Sequence, residues 1–216
     1  YYQEGLFLIF TNVLTYFFAV RNARKNISLE HQKELGAKIA TALTKARSIV
    51  AETHEIDVFK KKTVKSLLMT ADVFKSTAYY PAFMQNKKTL LTFVEGLSAC
   101  RAECEPYLDL QSAGYLYVLE KYFLNMAFFI RKYKIEDIDI LGCLALCDIQ
   151  KWSRAFDKLL VRQLNKTHHR LYSMQGKRWE KVKKRFENKY LSQSVFVEFM
   201  IAYERDIAQA DAENNG

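Results

Sequence analysis

The sequence predicts an all-α protein: a single-domain bundle of about seven to eight helices around a central apolar helix, ending in a basic αα-hairpin. Composition is the first reason. Half of the 216 residues are apolar and 28 are Phe or Tyr, but only seven Gly and two Pro punctuate the chain, too few turn formers for a many-stranded β fold. The second reason is the run from about 115 to 133, which is apolar on nearly every face of a helix and so belongs at the centre of a bundle. The third is charge placement: Lys151 to Lys189 holds thirteen Lys and Arg against Asp157, Glu180 and Glu187, a local +10 beside the +9 of the whole chain.

Taken in order, the spacing predicts a first helix from about Gln3 to Arg24 and a break at Asn26 to Ser28. Ser28 is the N-cap of a second helix reaching about Thr53, with Leu29, Leu35, Ile39, Leu43 and Ile49 on its apolar side. Leu6 to Val20 is free of charge and is followed by Arg21, Arg24 and Lys25. It falls short of the roughly 20 residues a bilayer span needs, so the expectation is a core helix, with a processed or anchoring segment as the alternative. Thr63 caps a third helix through Val64, Leu67, Leu68, Ala71 and Phe74, which Pro81 bends or ends. The next helix runs from about Asn86 to Glu103 and closes at Pro106.

After the central helix, Glu136, Asp137 and Asp139 mark the start of another, where carboxylates suit the positive end of the helix dipole. The basic helix spans about Gln150 to Met174, Gln175 and Gly176 make a turn, and a last helix carries Trp179, Val182, Phe186, Tyr190, Val195 and Phe199. Residues 1–210 form the domain, and the polar tail 211–216 frays.

Within the basic helix Arg154, Lys158, Arg162, Lys166 and Arg170 recur every four residues, which lines them into a ridge about 24 Å long. Phe156, Leu160, Leu164 and Leu171 fall on an arc beyond it. With Lys181, Lys184 and Arg185 of the following helix, these cations form a surface attracted to phosphate-bearing polymers. The leading expectation is a non-enzymatic module that docks on RNA or DNA. An interaction scaffold facing an acidic protein, with homo-oligomers allowed, is the competing class, and an anionic membrane surface is the third.

No G-x-G, P-loop, G-x-S-x-G or H-E-x-x-H spacing occurs, which excludes the usual nucleotide-driven and hydrolase signatures and implies no cofactor. Four Cys are ordinary for a reducing intracellular compartment, cytoplasm or nucleus. Cys100 and Cys104, and Cys143 and Cys147, are each spaced i, i+4; if their helices pack together, the four sulfurs could bind Zn²⁺ or cross-link. The leading reading is nevertheless four reduced core cysteines, because Cys is among the most buried residue types and a four-residue step is what any apolar stripe produces. The two pairs are similar to the twin CX3C arrangement of small mitochondrial intermembrane-space proteins, although here they lie far apart.

Two resemblances add enzymatic and ligand-binding alternatives. The segment Arg162-Gln163-Leu164-Asn165-Lys166-Thr167-His168-His169 resembles the R-x4-6-H signature of HEPN ribonucleases. That resemblance implies an all-α, commonly dimeric enzyme in which Arg162 stabilises phosphate charge and His168 or His169 acts as general acid or base. Leu124 to Cys147, an apolar helix, an acidic break and a second apolar helix, is similar to the seventh and eighth helices of nuclear-receptor ligand-binding domains. It implies an apolar pocket lined by Phe and Met.

Overall fold

The computed structural model describes residues 2–58, 79–136, 138–165 and 171–214, with six α-helices and one two-stranded sheet among them. The all-α expectation stands, but the helices divide differently. α1 is continuous over Tyr2–Glu52, with no break at Asn26 to Ser28. Cap-forming residues end a helix only when leaving it gains something. Here Ile27, Ser28 and Leu29 are all exposed, neither Gly nor Pro stands between 6 and 35, and carrying Asn and Ser through costs only about 0.5 kcal/mol each. Packing begins further on: Ile39, Ala42, Leu43, Ala46 and Val50 make a buried stripe at helical spacing. No helix among the described residues is long and apolar enough to cross a membrane.

β1 (Ile56–Val58) pairs antiparallel with β2 (Tyr79–Pro81) in the register Ile56 with Pro81 and Val58 with Tyr79. The helix expected over 63–74 lies outside the described residues. Pro81 ends a strand, not a helix, and a 3₁₀ turn at Ala82–Met84 follows, its Ala82 N–H donating to the Glu55 carbonyl at 2.7 Å. α2 (Lys87–Cys104) opens on a reciprocal cap: Asn86 accepts from the Thr89 N–H at 3.0 Å, and Thr89 accepts from the Asn86 N–H at 3.2 Å. Pro106 closes it through a 3₁₀ turn.

α3 (Leu110–Lys132) is the centre of the bundle and starts five residues earlier than the hydrophobic run suggested, because Asp109 caps it by accepting from the N–H groups of Gln111 and Ser112. α2, α4 and α5 pack on it. Tyr115, Leu116, Val118, Leu119, Tyr122, Phe123, Met126 and Phe129 are wholly buried from several sides. Aromatic edges do much of the packing: Phe93 and Tyr122 each meet Phe123 edge-on, and Phe129 meets Phe196 and Tyr203.

α4 (Asp139–Leu164) joins the two helices expected around Gln150, since nothing between them breaks the pattern. It ends ten residues before Met174. Leu171 to Gln175 alternate, with Tyr172 and Met174 turned toward the core and Leu171, Ser173 and Gln175 exposed. A helix would set Tyr172 and Met174 about 200° apart, so the extended chain is the form that seats both. Gly142 lets α4 approach β2 closely: a Cβ there would stand 2.7 Å from that of Tyr80.

α5 (Gly176–Phe186) and α6 (Val195–Asn214) replace the single last helix, with a π turn at Glu187–Leu191 between them. Ser194 and Asp148 explain the restart. The Ser194 hydroxyl accepts from Val197 N–H at 3.2 Å, and Asp148, fully buried on α4, accepts from Val195 N–H at 2.9 Å, Phe196 N–H at 3.2 Å and the Tyr122 hydroxyl at 3.0 Å. Burial raises the Asp148 carboxyl above its ordinary range despite these donors. α5 does not lie along α4 as the expected hairpin; it rests chiefly on α3, at Gly114, where a Cβ would meet Val182 at 2.9 Å and Phe186 at 3.1 Å.

Candidate polyanion-docking surface

The cations of α4 stand outward because the other side of that helix is committed. Trp152, Phe156, Leu160 and Gln163 are buried, and Arg154, Lys158 and Arg162 are exposed on the opposite row. The described row is about 12 Å long, half the expected ridge. Lys166 and Arg170 lie outside the described residues, as do His168 and His169. Leu164 and Leu171, expected to point inward, are exposed; α4 stops at the first, and the second sits on extended chain.

Gln163 fixes the end of this row. Its side-chain carbonyl accepts from Asp109 N–H at 3.0 Å and its amide donates to the Tyr107 carbonyl at 2.9 Å, tying α4 to the turn before α3. Such a buried, doubly bonded Gln carries no periodic signal, and the sequence reading passed over it.

α5 is anchored by Trp179, Val182 and Phe186 and presents Lys177, Arg178, Lys181 and Lys184 to solvent. Two of its cations are otherwise engaged. Lys183 turns inward, 2.7 Å from Glu180 and 5.5 Å above the ring of Tyr117, and Arg185, though exposed, hydrogen-bonds the side-chain carbonyl of Gln111. Arg154, Lys158, Arg162, Lys177, Arg178, Lys181 and Lys184 have no acidic partner among the described residues.

The cysteines form no second site. Cys100 and Cys104 lie 3.8 Å apart, sulfur to sulfur; hydrogen bonding between them lowers the Cys104 thiol and pushes Cys100 well up. The alternative of four gathered sulfurs finds no support: among the described residues no group of three or more His, Cys, Asp or Glu is placed to hold a metal ion, and no disulfide links the cysteines. α2 packs on α1 and α3, and α4 packs on those same two helices, so the two Cys pairs sit on helices without a substantial shared interface. Met126 and Phe129, within the segment resembling a nuclear-receptor helix pair, are fully buried, Phe129 among Tyr133, Phe196 and Tyr203.

Compared with known protein families, curated proteins and solved structures, the chain matches none.

Proposed function

We propose that this protein is a non-enzymatic helical module that docks on a polyanion, RNA or DNA, through the outward cations of α4 and α5. One observation carries the reading: seven Lys and Arg on α4 and α5 are exposed and have no acidic partner among the described residues, whereas many charges elsewhere are paired. Cations displayed on a fixed backbone bind phosphate with little ordering cost and confer affinity without sequence choice. The aromatics near them, Trp179 and Phe186, are buried in the anchor and unavailable for base stacking, which favours duplex over single strands.

The test is the salt dependence of duplex binding. If five phosphates are neutralised, log K should fall against log salt with a slope near about −4.5, and replacing Lys158 and Arg162 by Ala should reduce its size by about 2. A flat response overturns the reading.

A further inference from the structure

A second surface lies where the first turns of α2 meet the last turns of α3. A cleft of about 570 Å³ opens there, with Leu90 and Ile130 as its buried floor and Leu91 and Ala127 as its walls. Outside it the outer crest of α3 carries Leu124 and Phe128. Leu91, Leu124 and Phe128 are 51%, 46% and 68% exposed, so large apolar side chains face solvent over about one turn of α3 and the adjoining turn of α2. Clustered exposure of this kind marks a contact surface, and an outward aromatic is the usual anchor of one.

The rim has one sign of charge to spare. Lys87, Arg131 and Lys134 surround the cleft, and Glu136, the one acid lining it among the described residues, is 3.3 Å from Lys87. Arg131 and Lys134 have no acidic partner among the described residues. Lys134 also sits at φ 51°, a left-handed conformation that favours Gly or Asn and costs other residues about 1 kcal/mol. That conformation belongs to the turn closing α3, in which Ile135 N–H donates to the Ile130 carbonyl at 3.1 Å, and it leaves the exposed Lys134 at the mouth of the cleft.

We propose that this cleft and crest receive an acidic amphipathic helix of a partner protein: apolar residues at i, i+3 or i+4 and i+7 on Leu91, Leu124 and Phe128, and flanking Asp or Glu on Arg131 and Lys134. Charge selects this occupant. The chain's own segment 59–78 carries Lys60, Lys61, Lys62, Lys65 and Lys75 against Asp72 and would meet like charge; a second copy, which could offer only its acid-rich α6, is a competing occupant that concentration-dependent self-association of the chain alone would reveal and that would overturn the proposal. A polynucleotide would satisfy the rim but leave the apolar crest wet. The surface is separate from the cations of α4 and α5, and the inference does not depend on the polyanion reading.

The experiment uses the whole chain and two synthetic helical peptides with the same leucine face, one flanked by Glu and one by Lys, followed by fluorescence anisotropy. The acidic peptide should bind and the basic one should not. Phe128→Ala and Lys134→Glu should each weaken binding about tenfold, and Lys158→Ala with Arg162→Ala should leave it unchanged. Phe128 and Lys134 are both exposed, so a melting temperature within a few degrees of that of the parent chain keeps these variants interpretable. Equal binding of both peptides, no binding of the acidic one, or indifference to Phe128→Ala overturns the proposal. Sedimentation with anionic phospholipid vesicles in place of acidic-peptide binding overturns it in favour of a membrane surface.

Discussion

Charged side chains lead different lives on α3 and on the α4–α5 surface. On α3, Glu120 lies 2.5 Å from Arg101, Lys121 is 2.6 Å from Glu187, and Lys132 is 2.8 Å from Glu204; only Arg131 has no acidic partner among the described residues. Among the described cations of α4 and α5, Lys183 is the one in an ion pair, with Glu180. Charges that hold the bundle together occur as matched sets around its central helix, whereas Arg154, Lys158, Arg162, Lys177, Arg178, Lys181 and Lys184 have no acidic partner among the described residues. The difference separates scaffold from surface without reference to any ligand.

Breaking the scaffold side should cost most where a buried charge loses its role. Asp148→Ala leaves two N–H groups at the start of α6 and the Tyr122 hydroxyl unsatisfied, and should cost about 3 to 5 kcal/mol in urea denaturation. Gly142→Ala drives a methyl group into Tyr80 and Met84 and should cost about 1 to 3 kcal/mol in the same measurement.

Glu187→Gln comes next, at about 1 kcal/mol near neutral pH. Burial opposes its ionisation, yet hydrogen bonds from Lys121 and from the Tyr117 hydroxyl hold this carboxyl below the usual 4.5. A depressed folded-state value means the carboxylate's contribution is complete above that ordinary value and is lost as pH falls through the lowered one. The gap between parent and variant should therefore close in acid, as melting curves across pH will show. On the surface side, Lys158→Ala with Arg162→Ala should move stability by no more than about 0.5 kcal/mol, sharpening the contrast if polyanion binding falls at the same time.

Legibility in the sequence followed the same division. The buried centre of the bundle was readable because Leu116, Val118, Tyr122 and Phe123 spread apolar side chains over an arc wider than a single stripe. The outward cations of α4 were readable from their four-residue step. The ends of α2 were readable to within a residue from Asn86 and Pro106, but the limits of α4 and α6 were not, because they depend on partners distant in the chain: Asp148 starts α6 from 47 positions away, and Gln163 meets Asp109 across 54. The small sheet was missed because three-residue strands such as Ile56–Val58 and Tyr79–Pro81 carry too few positions for an alternating pattern. The continuity of α1 through Ser28 shows the converse error, a sound local cap signal with no tertiary contact to reward its use.

The bridge made by Gln163 bears on how α4 would meet a ligand. Because both ends of that amide are held, the helix turn carrying Arg162 is already in register with the rest of the bundle before anything arrives. Docking then has to still only flexible arginine and lysine tips, so charge swaps on this turn should speak mainly through attraction, with little confusion from refolding of the main chain.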